Sequence, residues 1–126
     1  MSNLAYQLEI KVQLEYLAEQ SSLIDDRYVF AYKIRITNQS NSSVQLLGRH
    51  WIIQDANQRV QDVRGQGVIG QQPLINPNES FEYSSGVTIA TPVGTMHGSY
   101  QMVSADGQRF EVPIPQFKLV MPRVLH

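Results

Sequence analysis

The sequence predicts an all-β chain folded as two antiparallel sheets packed face to face. Three observations predict it. Apolar and polar residues alternate at period two in the first segments. No window of helical length carries a 3.6-residue apolar period, and Gly, Pro and Asn/Ser clusters cut the chain into short pieces. About seven strands at short spacing, with no helix to cover a sheet, leave a β-sandwich or a small barrel, and one polar face per strand favours the sandwich.

Residues 4–16 alternate without a break. Leu4, Tyr6, Leu8, Ile10, Val12, Leu14 and Tyr16 share one face, and Ala5, Gln7, Glu9, Lys11, Gln13 and Glu15 share the other, which predicts one long half-buried strand. The polar link EQSSLIDD leads to residues 28–37, where Tyr28, Phe30, Tyr32, Ile34 and Ile36 alternate with Val29, Ala31, Lys33, Arg35 and Thr37. NQSNSS reads as a turn, VQLLGRHWIIQD as a third strand, DANQ as a short hairpin turn and RVQDVR as a fourth strand. Beyond a glycine-rich stretch, ESFEYSSGVTI, TMHGSYQMVSA and QRFEVPIPQFKLV supply three more strands, and Asp106-Gly107 marks a hairpin between the last two.

With 126 residues, 42% apolar and 17% charged, the chain has enough apolar material to bury the core of one domain, and residues 1–126 are expected to form a single domain. The net charge of −1 and the singly scattered Lys and Arg residues carry no electrostatic footprint for nucleic acid or for an anionic membrane. The absence of cysteine removes disulfides, zinc–thiolate sites and cysteine nucleophiles. The start, MSNLAYQLEIKV, has no positive n-region or continuous apolar run, and no stretch reaches the ~18 apolar residues of a membrane span, so a cytoplasmic location is expected. Asn38-Gln39-Ser40 and Asn41-Ser42-Ser43 match the glycosylation pattern but read more simply as a polar turn.

The stretch VRGQGVIGQQPLINP places Gly65, Gly67 and Gly70 at the spacing G-x-G-x-x-G. In dinucleotide-binding folds these glycines follow a buried parallel strand and open a helix whose N-terminus holds the phosphates. Here Pro73 and Pro77 follow at once, with Asn76 between them, so no crossover helix can form, and RVQDVR is too polar for a buried parallel strand. No Gly-Lys-Ser/Thr sequence follows, which excludes a P-loop. The glycines are therefore expected to supply positive φ or a bulge where the chain crosses between strands. A weaker alternative is an anion nest of backbone N–H groups beside Arg64.

Other candidate chemistry is sparse. His50, His97 and His126 show no metal-ligand spacing, although neighbouring strands could bring His50 and His97 together. His50 and Trp51 point to opposite faces of their strand, and Trp51 is the expected core residue. Ser84-Ser85-Gly86 lacks a nucleophile-elbow pattern, and Asp25-Asp26 lies in a polar turn, so no catalytic residue is assigned. Tyr6, Tyr16, Tyr28, Phe30 and Tyr32 could stack on bases but sit on the apolar sets, which favours core packing. The C-terminal MPRVLH is unusually apolar, with Met121, Val124 and Leu125, and either docks on its own domain or adds to the surface of a partner.

Taken together, several motifs resemble the bacterial ApaG family. They are Arg49-His50-Trp51, Ile53-Gln54-Asp55-Ala56, the run from Gly65 to Pro73 with the following LINPNESFEY, Thr91-Pro92-Val93-Gly94-Thr95-Met96, Gly98-Ser99-Tyr100-Gln101-Met102 and FEVPIPQF. The chain departs from the pattern at Asn78, where the family commonly has glycine, but asparagine also tolerates left-handed turn geometry. The resemblance covers essentially the whole chain. It implies a fibronectin type III-like (immunoglobulin-like) β-sandwich, a link to cobalt resistance and magnesium efflux, and a gene neighbourhood with a diadenosine tetraphosphate hydrolase. Similar domains in adaptor proteins imply protein interaction.

The leading expectation is a non-enzymatic binding module acting through a protein partner, with the candidate surface at Arg64, Gly65, Gly67, Val68, Ile69 and Gly70. Val68 and Ile69 could equally tuck into the core. The alternative is a small-anion or nucleotide-binding, or divalent-metal-linked, accessory protein using the same loop, with weak phosphate contact. An enzyme acting on dinucleoside polyphosphates ranks last. No cofactor or resident metal is implied, nucleic acid is not an expected partner, and a dimer remains open.

Overall fold

The computed structural model describes residues 4–122. A 3-10 turn at Leu4–Gln7 leads into β1 (Leu8–Tyr16), and a second at Ala18–Gln20 precedes β2 (Tyr28–Asn38). Then follow β3 (Val44–Asp55), β4 (Val60–Gln66), the short β5 (Leu74–Ile75), β6 (Ser80–Ile89), β7 (Val93–Ser104) and β8 (Arg109–Val120). One sheet has the order β1-β2-β6, and the other has β4-β3-β7-β8 with β5 also paired to β3. All these pairings are antiparallel. The result is the all-β, two-sheet sandwich that the alternation predicts.

The core lies between the sheets. β2 obeys its alternation throughout: Tyr28, Phe30, Tyr32, Ile34 and Ile36 are all buried against the other sheet. From that sheet Leu46, Trp51, Ile53, Met96, Tyr100, Met102, Val112, Ile114 and Leu119 point back into the same cluster. Trp51 is its hub, packing near edge-on against Tyr32 at 5.4 Å, Phe117 at 6.0 Å and Tyr100 at 6.3 Å between ring centroids. Such contacts add about 0.5–1.5 kcal/mol each to the burial of the rings. The expectation that Trp51, and not His50, enters the core holds.

The first segment departs from its alternation. Residues 4–7 are a 3-10 turn and not strand, and Tyr6 is 83% exposed. The reason lies in the partner strand, because the β1–β2 ladder ends with Leu8 opposite Asn38 and nothing upstream of Leu8 has a strand to pair with. Leu14 is 37% exposed, while Ile10, Val12 and Tyr16 are half-buried, because β1 is an edge strand that the opposing sheet covers only in part.

The NQSNSS turn is organised by a buried asparagine. Asn38 Nδ2 donates to the Ser42 carbonyl at 2.8 Å and to the Ile75 carbonyl at 3.0 Å, and its Oδ1 accepts from the Ser40 backbone N–H and hydroxyl. All the bonding positions of the amide are filled, which is what a fully buried amide requires. One side chain thereby ties the end of β2 to β5 in the other sheet, and the match to a glycosylation pattern at Asn38 is a turn centre sealed from solvent. The other sequence-read turns also hold. Gly107 at the β7–β8 hairpin and Asn78 before β6 both have positive φ, +88° and +67°.

Ile34 is completely buried on the central strand of its sheet. Replacing it with aspartate places an unpaired charge there, at a cost of roughly 3–5 kcal/mol against ~5–15 for a whole domain. Ile34→Asp is expected to be unfolded or molten by near-ultraviolet circular dichroism at 25 °C. Unchanged melting would mean that β2 presents its other face.

Candidate functional site

The glycine stretch begins on the ladder. Gly65 lies opposite Arg49 in the β3–β4 pairing. A Cβ there would sit 2.6 Å from Arg49 Nη1, so the guanidinium lies flat over the glycine backbone in space that no other residue leaves free. Nη1 donates to the carbonyls of Gln66 at 3.1 Å and Gly67 at 2.9 Å. Gly67 then turns the chain with φ +60°, and a Cβ at this position would run into the Gln71 carbonyl oxygen. Paired bonds between Val68 and Gln71 (2.8 and 3.0 Å) close a two-residue hairpin whose central residues, Ile69 and Gly70, have φ of +43° and +74°. Both being left-handed, the turn is of type I′. A β-branched residue in that region is an outlier, held there only because the bonds on either side determine it.

This geometry separates the sequence-predicted site residues. Val68 is fully buried and belongs to the core, so it does not face a partner, whereas Ile69 is 60% exposed at the tip of the turn. Gly67 and Gly70 supply positive φ, as expected, but Gly65 is there to seat Arg49. Arg64 lies on the outer face of its sheet, exposed, with its Nε 3.5 Å from Asp62. Asp62 also accepts a 2.9 Å bond from His50 Nε2. The turn is poorly suited to phosphate: the N–H groups of Gly67, Val68 and Gln71 are spent on the carbonyls of Leu47, Gln71 and Val68, and the loop carbonyls face a cation. The charge of Arg64 is already answered by a carboxylate.

A second feature lies beside the turn. The pairings Arg49–Gly65, Trp51–Val63 and Ile53–Gln61 put those side chains on the inner face of β3 and β4. There they meet residues 85–88 of β6, the edge of the other sheet, across a cleft also lined by Tyr32. Gln61 Nε2 reaches over it to the Thr88 carbonyl at 3.1 Å. Burial pushes the Tyr32 hydroxyl above its ordinary range, partly offset by Ser85 and by the Arg49 guanidinium beside it. Deeper in, the hydroxyls of Tyr83 on β6 and Tyr100 on β7 share a 2.5 Å hydrogen bond. Burial raises both well above the ordinary tyrosine value, so both are neutral at any physiological pH. Arg49 acts on all three tyrosines and makes no ion pair among the described residues.

The remaining candidates scatter. His50 and His97 are on neighbouring strands, but His97 is opposite Ile52 at a bulge, and His50 is opposite Ser99. His97 Nδ1 is buried without a hydrogen-bond partner. No three His, Asp or Glu side chains among the described residues converge as metal ligands, and no described helix is long and apolar enough to cross a membrane. In the C-terminal stretch, Met121 packs partly against the core and its N–H bonds the Pro92 carbonyl at 2.9 Å, while residues 123–126 lie outside the described part. Sequence reasoning missed Arg49 as a site residue. The signal that marks it is its register with Gly65, which only the ladder reveals.

The fold and its edge cleft define a β-sandwich domain. The particular family follows from comparison: residues 18–104 match the family model of the ApaG domain. A protein named ApaG from Chromobacterium violaceum is 56% identical over the full length of both chains, and one from Thiobacillus denitrificans is 60% identical over 96% of this chain and 95% of that one. The chain belongs to the ApaG domain family. A crystal structure from Bordetella pertussis, solved under the name ApaA, superimposes with a TM-score of 0.90 at 52% identity, covering 93% of this chain and 95% of that one.

Two glycine substitutions separate close approach from conformation. Gly67 and Gly70 both have positive φ, but only at Gly67 would a Cβ meet backbone. Gly70→Ala is expected to cost about 1–2 kcal/mol, the penalty of left-handed geometry, and Gly67→Ala clearly more. Urea denaturation of the two variants measures the difference, and equal losses would remove the contact with Gln71 from the account.

Proposed function

We propose that this chain is a non-enzymatic binding module that acts by holding a protein partner. On this reading residues 1–126 form one fibronectin type III-like domain. The strand orders β1-β2-β6 and β4-β3-β7-β8 support that likeness, and end-to-end matching with its relatives supports the single domain.

The observation that carries the proposal is the presentation of Ile69. An aliphatic side chain is 60% exposed at the tip of a type I′ turn, and the residues beside it are fixed by the buried Val68, by Gly67 and by the clamp of Arg49 on the loop carbonyls. A solvent-facing aliphatic side chain on a turn rigid enough to hold it in strained backbone suits a contact made without ordering cost. Strand β4, which leads into the turn, is exposed along nearly its whole length, with Val60 on its outer face.

The test is capture of proteins from a native bacterial extract by immobilised chain and by its Ile69→Ser variant. Because Ile69 is exposed, the variant is expected to keep its melting temperature or gain slightly, since serine relieves β-branched strain. It is also expected to lose the captured proteins. Equal capture by both would remove the turn as the contact surface.

A further inference from the structure

The two sheets leave four edge strands, and three of them are protected. β8 carries Pro113 and Pro115, β1 carries Glu9, Lys11 and Glu15, and β4 carries Asp62 and Arg64 and ends in the glycine turn. Prolines and charged side chains are the usual means by which a sheet edge avoids pairing with another chain. β6 is different. From Tyr83 to Ile89 it has neither a charge nor a proline, and it pairs only with β2.

The direction of its free backbone groups is fixed by one contact. The Thr88 carbonyl accepts from Gln61 across the cleft and so points away from β2. In an antiparallel ladder the bonding direction alternates, so Ser84 and Gly86 also turn their N–H and C=O outward. Gly86 and Thr88 border the cleft that Arg49, Tyr32 and Ser85 line. The Arg49 guanidinium is half-buried there, fixed on Gly65 by two carbonyls and without a carboxylate partner among the described residues. A half-buried guanidinium without a counter-charge is a strong site for a carboxylate, because its planar fork matches carboxylate geometry.

We infer that β6 is a strand-addition site. An extended peptide segment of a partner pairs with the outward groups of Ser84, Gly86 and Thr88, displaces the Gln61 amide from the Thr88 carbonyl and places one Asp or Glu carboxylate on Arg49. The added strand extends the smaller sheet to the order β1-β2-β6-peptide. The backbone bonds supply affinity and the carboxylate fixes register. This rests on the reading that the chain binds proteins, but it uses a surface distinct from Ile69.

The experiment selects binders to the intact chain from a displayed library of random heptapeptides. The expected result is a consensus with Asp or Glu at one fixed position. Changing that residue to Gln in a synthetic peptide is expected to weaken binding to the unaltered chain at least about tenfold, as loss of a charge-assisted bond does. Arg49→Gln is expected to weaken the acidic peptide equally and to add nothing against the Gln peptide. Gly86→Pro, which removes an outward N–H and no ladder bond, is expected to abolish binding with the fold retained by circular dichroism. The peptide substitution needs no change in the protein, so it stands even where a variant fails to fold. A library that yields no binder, a consensus without an acidic position, or acidic peptides indifferent to both Glu→Gln and Arg49→Gln would overturn the inference. Should that happen while Ile69-dependent capture from extract persists, the proposed function survives without it.

Discussion

The interaction on which the rest of the structure depends is the hydrogen bond between Tyr83 and Tyr100. The two rings come from opposite sheets and their hydroxyls meet at 2.5 Å inside the sandwich. Neither oxygen can be left alone there, since a buried hydroxyl without a partner costs ~1–3 kcal/mol. The pair therefore fixes how β6 sits over β7, where apolar packing alone would tolerate sliding. Trp51 stands against Tyr100 and Tyr32, joining the same two sheets through ring edges. Everything at the cleft inherits this spacing, including the distance that Gln61 spans to reach Thr88.

Arg49 carries the constraint outward. Trp51, two residues on along the same face, is core, yet the Arg49 guanidinium reaches the rim and holds the carbonyls of Gln66 and Gly67. Gly65 makes that possible by having no side chain, and Gly67 makes the following reversal possible by its positive φ. One cation thus organises a turn, exposes Ile69 beyond it and faces the β6 edge. The glycine spacing that resembles a phosphate loop is here the footprint of a guanidinium, with carbonyls turned towards a positive charge in place of N–H groups turned towards a negative one.

Much of the fold could be read from the sequence because period-two alternation reports local geometry. β2 is the clearest case, since Tyr28 to Ile36 are buried at every second position. Alternation names a face, however, and says nothing of how far the opposing layer extends, which is why Tyr6 and Leu14 are exposed on a face that alternation marks as apolar. β5 has only two residues, too few for any pattern. At the site, the turn conformation at Gly67, Gly70 and Asn78 could be read from residue type. The burial of Val68 against the exposure of Ile69 could not, because adjacent aliphatics in a turn carry no period. The role of Arg49 depends on a partner sixteen positions away in the chain that faces it across the ladder, and no local signal encodes that register.

The most direct measurement is a double-mutant cycle on the tyrosine pair, followed by urea denaturation of Tyr83→Phe, Tyr100→Phe and the double variant. Each single change leaves one buried hydroxyl unpartnered and should cost about 1–3 kcal/mol, whereas the double change removes both polar groups and should cost clearly less than the sum. A coupling of about 1 kcal/mol or more is the result predicted by a hydroxyl bridge that sets the distance between the sheets. Single variants as stable as the parent, or losses that simply add, would contradict it.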